Sequence, residues 1–169
     1  GEADILLVGD LGALRAAARA MKIDPERLAR VATAAEGFLP HKKSDRALRV
    51  WQPTASLGMS DRTPGRPSKK GGAAQLAWID EATDLVRAGI ADALVTGPVS
   101  KDAIARSGAK GARTFRGHTE HLAARLHAPE VTMAFWTERL SDLNYRELRL
   151  RASRFTPAGG WGAPVEVSD

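Results

Sequence analysis

The chain has 169 residues, enough for one domain of ordinary size with a real hydrophobic core. Apolar residues make up 43% and charged residues 27%, which excludes wholesale disorder, and the lack of cysteine removes disulfide scaffolds, thiolate metal sites and a cysteine nucleophile together. The net charge of +5 is uneven, because residues 40–70 hold eight basic side chains against Asp45 and Asp61 and so carry +6, leaving −1 elsewhere.

That basic stretch (Lys42, Lys43, Arg46, Arg49, Arg62, Arg66, Lys69 and Lys70) is suited to phosphate groups or is simply a solvated loop. Trp51 is its only aromatic residue, too few for a stacking platform, so no nucleic-acid partner is expected. No apolar run reaches the ~18 residues of a membrane span, and no signal-peptide pattern opens the chain. A cytoplasmic protein is expected. The chain opens at Gly1, which suggests a start inside a longer protein or after processing.

In chain order, residues 4–10 read as a short buried strand, since four apolar residues in a row, ended by Gly9, suit the middle of a parallel sheet. Residues 11–21 are alanine-rich and helical. Asp24-Pro25-Glu26 is a helix start, with a strand as the alternative because the apolar positions after it are sparse. Residues 47–51 read as a further strand, and 56–72 as a loop rich in glycine, proline, serine and lysine. The strongest helix spans 71–88, where Leu76, Ile79, Ala82 and Val86 recur at three- and four-residue steps and Gly89 closes it. A strand at 91–96 runs into Gly97-Pro98. A short helix at 100–105, a second glycine-rich loop, a helix at 119–126 and a strand at 131–136 follow. From 141 onward arginines alternate with single apolar residues and no sustained period continues past Leu150, so 141–169 reads as a mobile or poorly packed tail.

Three groups of residues have chemistry to offer. Thr96-Gly97-Pro98-Val99-Ser100-Lys101 stands at the carboxyl end of the predicted strand, where open α/β sheets place ligands. Its glycine admits close backbone approach, the helix amides beyond it suit an anion, and Lys101 adds a compact charge. A plain structural turn explains the same residues, and the glycine spacing is not that of a P-loop. Arg116-Gly117-His118-Thr119-Glu120-His121 sets an imidazole beside a hydroxyl at a helix start; the plainer reading makes Thr119 the helix cap. His118 and His121 lie three apart without an apparent third metal ligand. Gly65 to Gly72 brings glycines and lysines ahead of a long helix, as an anion loop or as a connector. Gly9-Asp10-Leu11-Gly12 lacks the third glycine of a dinucleotide fingerprint, and no serine sits in a nucleophile elbow.

A strand, Thr-Gly-Pro with Lys101, a glycine-rich loop and then Gly117-His118-Thr119-Glu120, in that order, resemble the 4-hydroxythreonine-4-phosphate dehydrogenase family of pyridoxal phosphate synthesis. The resemblance covers about residues 1–140, the first part of a family member, and makes them a partial dehydrogenase-like domain ahead of a divergent arginine-rich tail at 141–169. It implies an α/β fold of the isocitrate/isopropylmalate-dehydrogenase-like type, mostly parallel with flanking helices and here incomplete. It implies a homodimer and an NAD-dependent oxidation of a phosphorylated hydroxy amino acid, followed by decarboxylation. A divalent metal (zinc, magnesium or cobalt) assists in the complete enzyme. The resemblance places His118 and Thr119 on the substrate and Lys101 in the same motif block.

Three departures stand beside it. The family's proline- and glycine-rich opening motif is absent. Its metal histidines come after the Gly-His-Thr-Glu motif, where this chain has only His121 and His127, neither at a matching position. From about residue 141 the likeness stops, as a reading-frame change in GC-rich coding DNA would make it. Little or no dehydrogenase activity is therefore expected of this polypeptide alone. The competing readings are a dehydrogenase for another phosphorylated or cyclic hydroxy acid, a phosphate acyltransferase-like protein, and a non-catalytic anion-binding module built on residues 40–70.

Overall fold

The computed structural model describes residues 4–40, 47–126, 132–139, 148–156, 160–161, 163 and 165–166. It forms two compact units, Gly1–Arg116 and Gly117–Asp169, each described by itself.

The first unit begins with β1 (Leu6–Val8) and α1 (Leu11–Ala20). Asp24 then caps a single 3-10 turn, Pro25–Arg27, which gives way at once to β2 (Leu28–Val31). The cap signal was genuine, but the sparse apolar positions after it suit a strand and not a longer helix. A four-residue helix α2 (Ala34–Gly37), capped by Thr33, leads to β3 (Leu48–Trp51). The sheet order is β1-β3-β2 with all pairs parallel, Leu7 opposite Val50 and Val50 opposite Arg30. Val50 on the central strand is fully buried, and packs with Ala18 and Leu28 under Leu7, Leu11 and Leu14. Helix α1 therefore covers one face of the sheet with its apolar stripe, as a parallel sheet requires.

Helix α3 (Lys69–Arg87) starts where Ser68 caps it, the Ser68 hydroxyl accepting from Gly71 N at 2.9 Å. Ser68→Ala should cost about 1 kcal/mol, the usual worth of such a cap, read from the urea midpoint. The helix buries Leu76, Ile79, Ala82 and Leu85 and ends at Ala88, after which Gly89 takes φ 67° and Ile90 N returns to Leu85 O. Helix α4 (Lys101–Arg106) packs on α3 through the fully buried Ala103 and Ile104. A 3-10 turn, Ala112–Thr114, packs on α4 in turn.

Residues 91–96, expected as a strand, are not one. They run as irregular chain, with Val95 94% exposed and no ladder partner among the described residues. The local pattern favours an extended backbone, but a strand exists only when a neighbour completes its hydrogen bonds.

The second unit contains α5 (His118–Arg125), β4 (Thr132–Arg139), β5 (Leu148–Thr156), β6 (Gly160–Trp161) and β7 (Val165–Glu166). Val131 lies outside the described residues; the strand expected around it begins at Thr132. Strand β5 is central and antiparallel to the others, with Thr132 opposite Phe155 and Ala152 opposite Val165. Within residues 141–169, read as a mobile or poorly packed tail without sustained period, residues 148–156 form a regular strand, and most of the remainder lies outside the described residues. The alternation of Arg149, Arg151 and Leu148, Leu150 has the two-residue period of a strand, and β4 supplies the partner.

Candidate functional site

At the carboxyl ends of β1 and β3 the first unit holds a dense polar cluster. Asp10, almost wholly buried, caps α1 by accepting from Ala13 N at 2.7 Å. Its other oxygen accepts from Leu57 N at 2.9 Å. The Arg62 guanidinium closes the carboxylate with Nε at 2.8 Å and Nη2 at 3.3 Å. Gln52, directly after β3, accepts from Leu11 N at 2.9 Å and donates to Thr54 O and to the Ser56 hydroxyl. Trp78 of α3 donates from Nε1 to the Thr54 hydroxyl at 2.9 Å. The loop after β3 is thus tied to α1 on one side and to α3 on the other.

This cluster occupies the place where a dinucleotide-binding protein seats a pyrophosphate. The α1 terminus is taken by the Asp10 carboxylate, and the Arg62 guanidinium lies against Gly12 where a side chain would stand. An anionic ligand there would face a buried carboxylate, so this cluster does not suit the pyrophosphate of a dinucleotide.

The turn that holds Lys101 belongs to the same unit. Ser100 caps α4, its hydroxyl accepting from Ala103 N at 3.3 Å and its carbonyl from Ile104 N at 3.0 Å. The Ser100 amide donates to Gln75 Oε1 of α3 at 2.9 Å. Lys101 is the exposed first residue of α4. The expectation of free helix amides for an anion is corrected in part: α4 has six residues, and Ser100 already takes one of its first amides.

His118 and Thr119 open α5 in the second unit, so the structure describes this pair separately from Lys101. Gly117 is the N-cap residue and no side chain caps the helix; Thr119 is exposed inside the first turn. The capping role for Thr119 is therefore wrong, which leaves its hydroxyl at the surface beside the half-buried His118. Of the basic stretch, Arg66, Lys69 and Lys70 sit around the start of α3, whereas Lys42, Lys43 and Arg46 lie outside the described residues.

The donor set of the described residues does not fit the implied metal. Among the described residues no three of His, Asp and Glu gather as a cation would need. His127 lies outside them, and the sequence offers no histidine beyond it. The groove beside α1, lined mainly by apolar residues such as Leu14, Met21, Ile23 and Leu48 with Asp24 and Arg27 as its charged members, does not suit a phosphorylated ligand.

The three-stranded parallel sheet with its flanking helices is an α/β unit, and the family whose sequence model the chain matches has the isocitrate-dehydrogenase-like fold. The sequence model of the pyridoxal phosphate biosynthetic protein PdxA matches residues 2–148. The chain belongs to the PdxA family. It is 49% identical over 70 residues to the 4-hydroxythreonine-4-phosphate dehydrogenase of Acidithiobacillus ferrooxidans, covering 41% of this chain and 20% of that one. Against the D-threonate 4-phosphate dehydrogenase of Bordetella bronchiseptica it is 34% identical over 121 residues, 72% of this chain and 32% of the relative. The enzyme of Zymomonas mobilis, a 4-hydroxythreonine-4-phosphate dehydrogenase, is 40% identical over 81 residues, covering 48% of this chain and 22% of that enzyme. The matches thus span about a fifth to a third of these relatives' length. No solved structure matches. No described helix is long and apolar enough to cross a membrane.

Proposed function

We propose that this chain carries part of the substrate-binding region of an NAD-dependent dehydrogenase acting on 4-phosphohydroxy-L-threonine in pyridoxal phosphate synthesis. The family match over residues 2–148, which takes in both motifs, is the observation that supports it. In this reading Lys101 meets an anionic group of the substrate as a point charge, and the Thr119 hydroxyl and His118 imidazole supply hydrogen bonds. We place these contacts in residues 1–140 and none in residues 141–169. The complete enzyme works in the cytoplasm as a homodimer, with NAD to accept hydride and a divalent metal to polarise the reacting hydroxyl. Among the described residues no metal-ligand group gathers and the α1 terminus does not suit a dinucleotide, so no oxidation step is assigned to this polypeptide.

The expected result is binding without turnover. Isothermal calorimetry on the purified chain should show 4-phosphohydroxy-L-threonine binding that weakens on Lys101→Ala. Mixing the chain with the same compound, NAD and a divalent cation should give no NADH absorbance above the blank. NADH formation would refute the division of labour, and lack of binding would refute the substrate reading. The relative from Bordetella bronchiseptica, which aligns with 72% of the chain, favours D-threonate 4-phosphate as the second candidate. Competition between the two phosphates in the calorimeter ranks them.

A further inference from the structure

The sequence motif that ends at Lys101 is held from outside itself. The Ser100 amide immediately before Lys101 donates to Gln75 Oε1 at 2.9 Å, across 25 residues of sequence. Gln75 lies on α3, half-buried, one turn beyond Gly72, whose missing side chain lets the backbone at Ala103 and Ile104 come down onto the helix. From Asp92 to Val99 no backbone bond is formed among the described residues, and Val95 is nearly fully exposed. The ten-residue path back from Ile90 therefore has one side-chain anchor at its end before α4 begins.

We infer that Gln75 is a positioning residue: its side-chain carbonyl sets the direction in which the Thr96 to Lys101 turn enters α4, and with it the place of Lys101. The functional part of this inference rests on the substrate reading above. The hydrogen bond is of normal length and partly shielded from water, whereas Ser100 Oγ and Ser100 O are committed to α4 and do not fix its entry. An acceptor at residue 75 is what the arrangement needs. Glutamate keeps one and methionine, of similar length, does not.

The test uses the whole chain and two variants, Gln75→Met and Gln75→Glu. Amide exchange at Ser100, resolved by NMR, should speed up about 5-fold or more in Gln75→Met and stay close to wild type in Gln75→Glu. Binding of 4-phosphohydroxy-L-threonine should weaken about 5-fold in Gln75→Met and recover in Gln75→Glu, while the two variants melt alike. Unchanged Ser100 exchange in Gln75→Met would overturn the anchor itself. Faster exchange with unchanged binding would overturn the link from the anchor to Lys101. Wild-type chain that does not bind the phosphate would overturn the substrate reading, and the exchange data would still decide the anchor.

Discussion

Replacing Asp10 with alanine is expected to destabilise the first unit by about 3–4 kcal/mol, among the largest effects of any single change in this chain. The side chain has no solvent exposure and is met by Ala13 N, Leu57 N and two nitrogens of Arg62. Alanine removes the α1 cap, worth about 1 kcal/mol, and leaves the Leu57 amide and the guanidinium without their acceptor. Arg62 is about one quarter exposed and can turn partly to water, which keeps the loss near the lower end for a broken buried pair. Asp10→Asn retains a good cap but loses the charge and one acceptor oxygen, so about 2 kcal/mol is expected. Urea denaturation checks both, with amide exchange at Val50 reporting the sheet directly. Residues 56–62 should also become protease-sensitive in Asp10→Ala, because Leu57 and Arg62 then lose their bonds to Asp10 and the Gln52–Ser56 bond alone ties the segment to the sheet end. An Asp10→Ala midpoint equal to wild type would show that the cluster contributes nothing net.

Why this cluster escaped the sequence is instructive. Asp10 reads as the end of a strand and Arg62 as one member of a basic run, and 52 residues separate them. Each has a local reading that accounts for it, and only the sheet brings them together. A signal was present in Asp10 followed by Gly12: an acid at a helix start, with no side chain two residues further to shield it. The elements that were legible are those whose pattern is local. Leu6, Leu7 and Val8 read as a buried central strand and do form a strand, but a half-buried one at the edge of the described three-stranded sheet, with β3 in the middle. Leu76, Ile79 and Ala82 read as the long helix, because burial on one face is written in their spacing. Residues 91–96 show the limit, since an extended pattern without a neighbouring strand remains irregular chain. Strand β5 shows the reverse: its arginines hid a two-residue period that pairing with β4 makes regular. In the candidate site, Lys101, His118 and Thr119 were found as motif residues. Gln75 was not, because a polar residue on an amphipathic helix looks like an ordinary solvated position until the chain returns to it.

Gly72→Val is expected to cost about 3 kcal/mol, and Gly72→Ala about 2 kcal/mol, although alanine in a helix interior normally gains close to 1 kcal/mol over glycine. The sign reverses because a Cβ at residue 72 would meet the carbonyl of Ala103 and the Ile104 amide, which are backbone atoms of α4 and cannot rotate away. The adjacent Gly71 is the internal control. Its added Cβ would stand 3.2 Å from the Ser68 hydroxyl and 3.4 Å from Asp61 O, a fit that small shifts relieve, so Gly71→Ala should stay within about 1 kcal/mol of wild type. Urea midpoints of the three variants give the order. Relief of the collision requires α4 to move off α3, and Ser100 and Lys101 move with it because they begin that helix. Gly72→Ala should therefore speed Ser100 amide exchange and weaken binding of the phosphorylated substrate, whereas Gly71→Ala should do neither. Equal stability of Gly71→Ala and Gly72→Ala would mean that the two helices do not meet through Gly72, and the route by which α3 holds the Lys101 turn would have to be sought elsewhere.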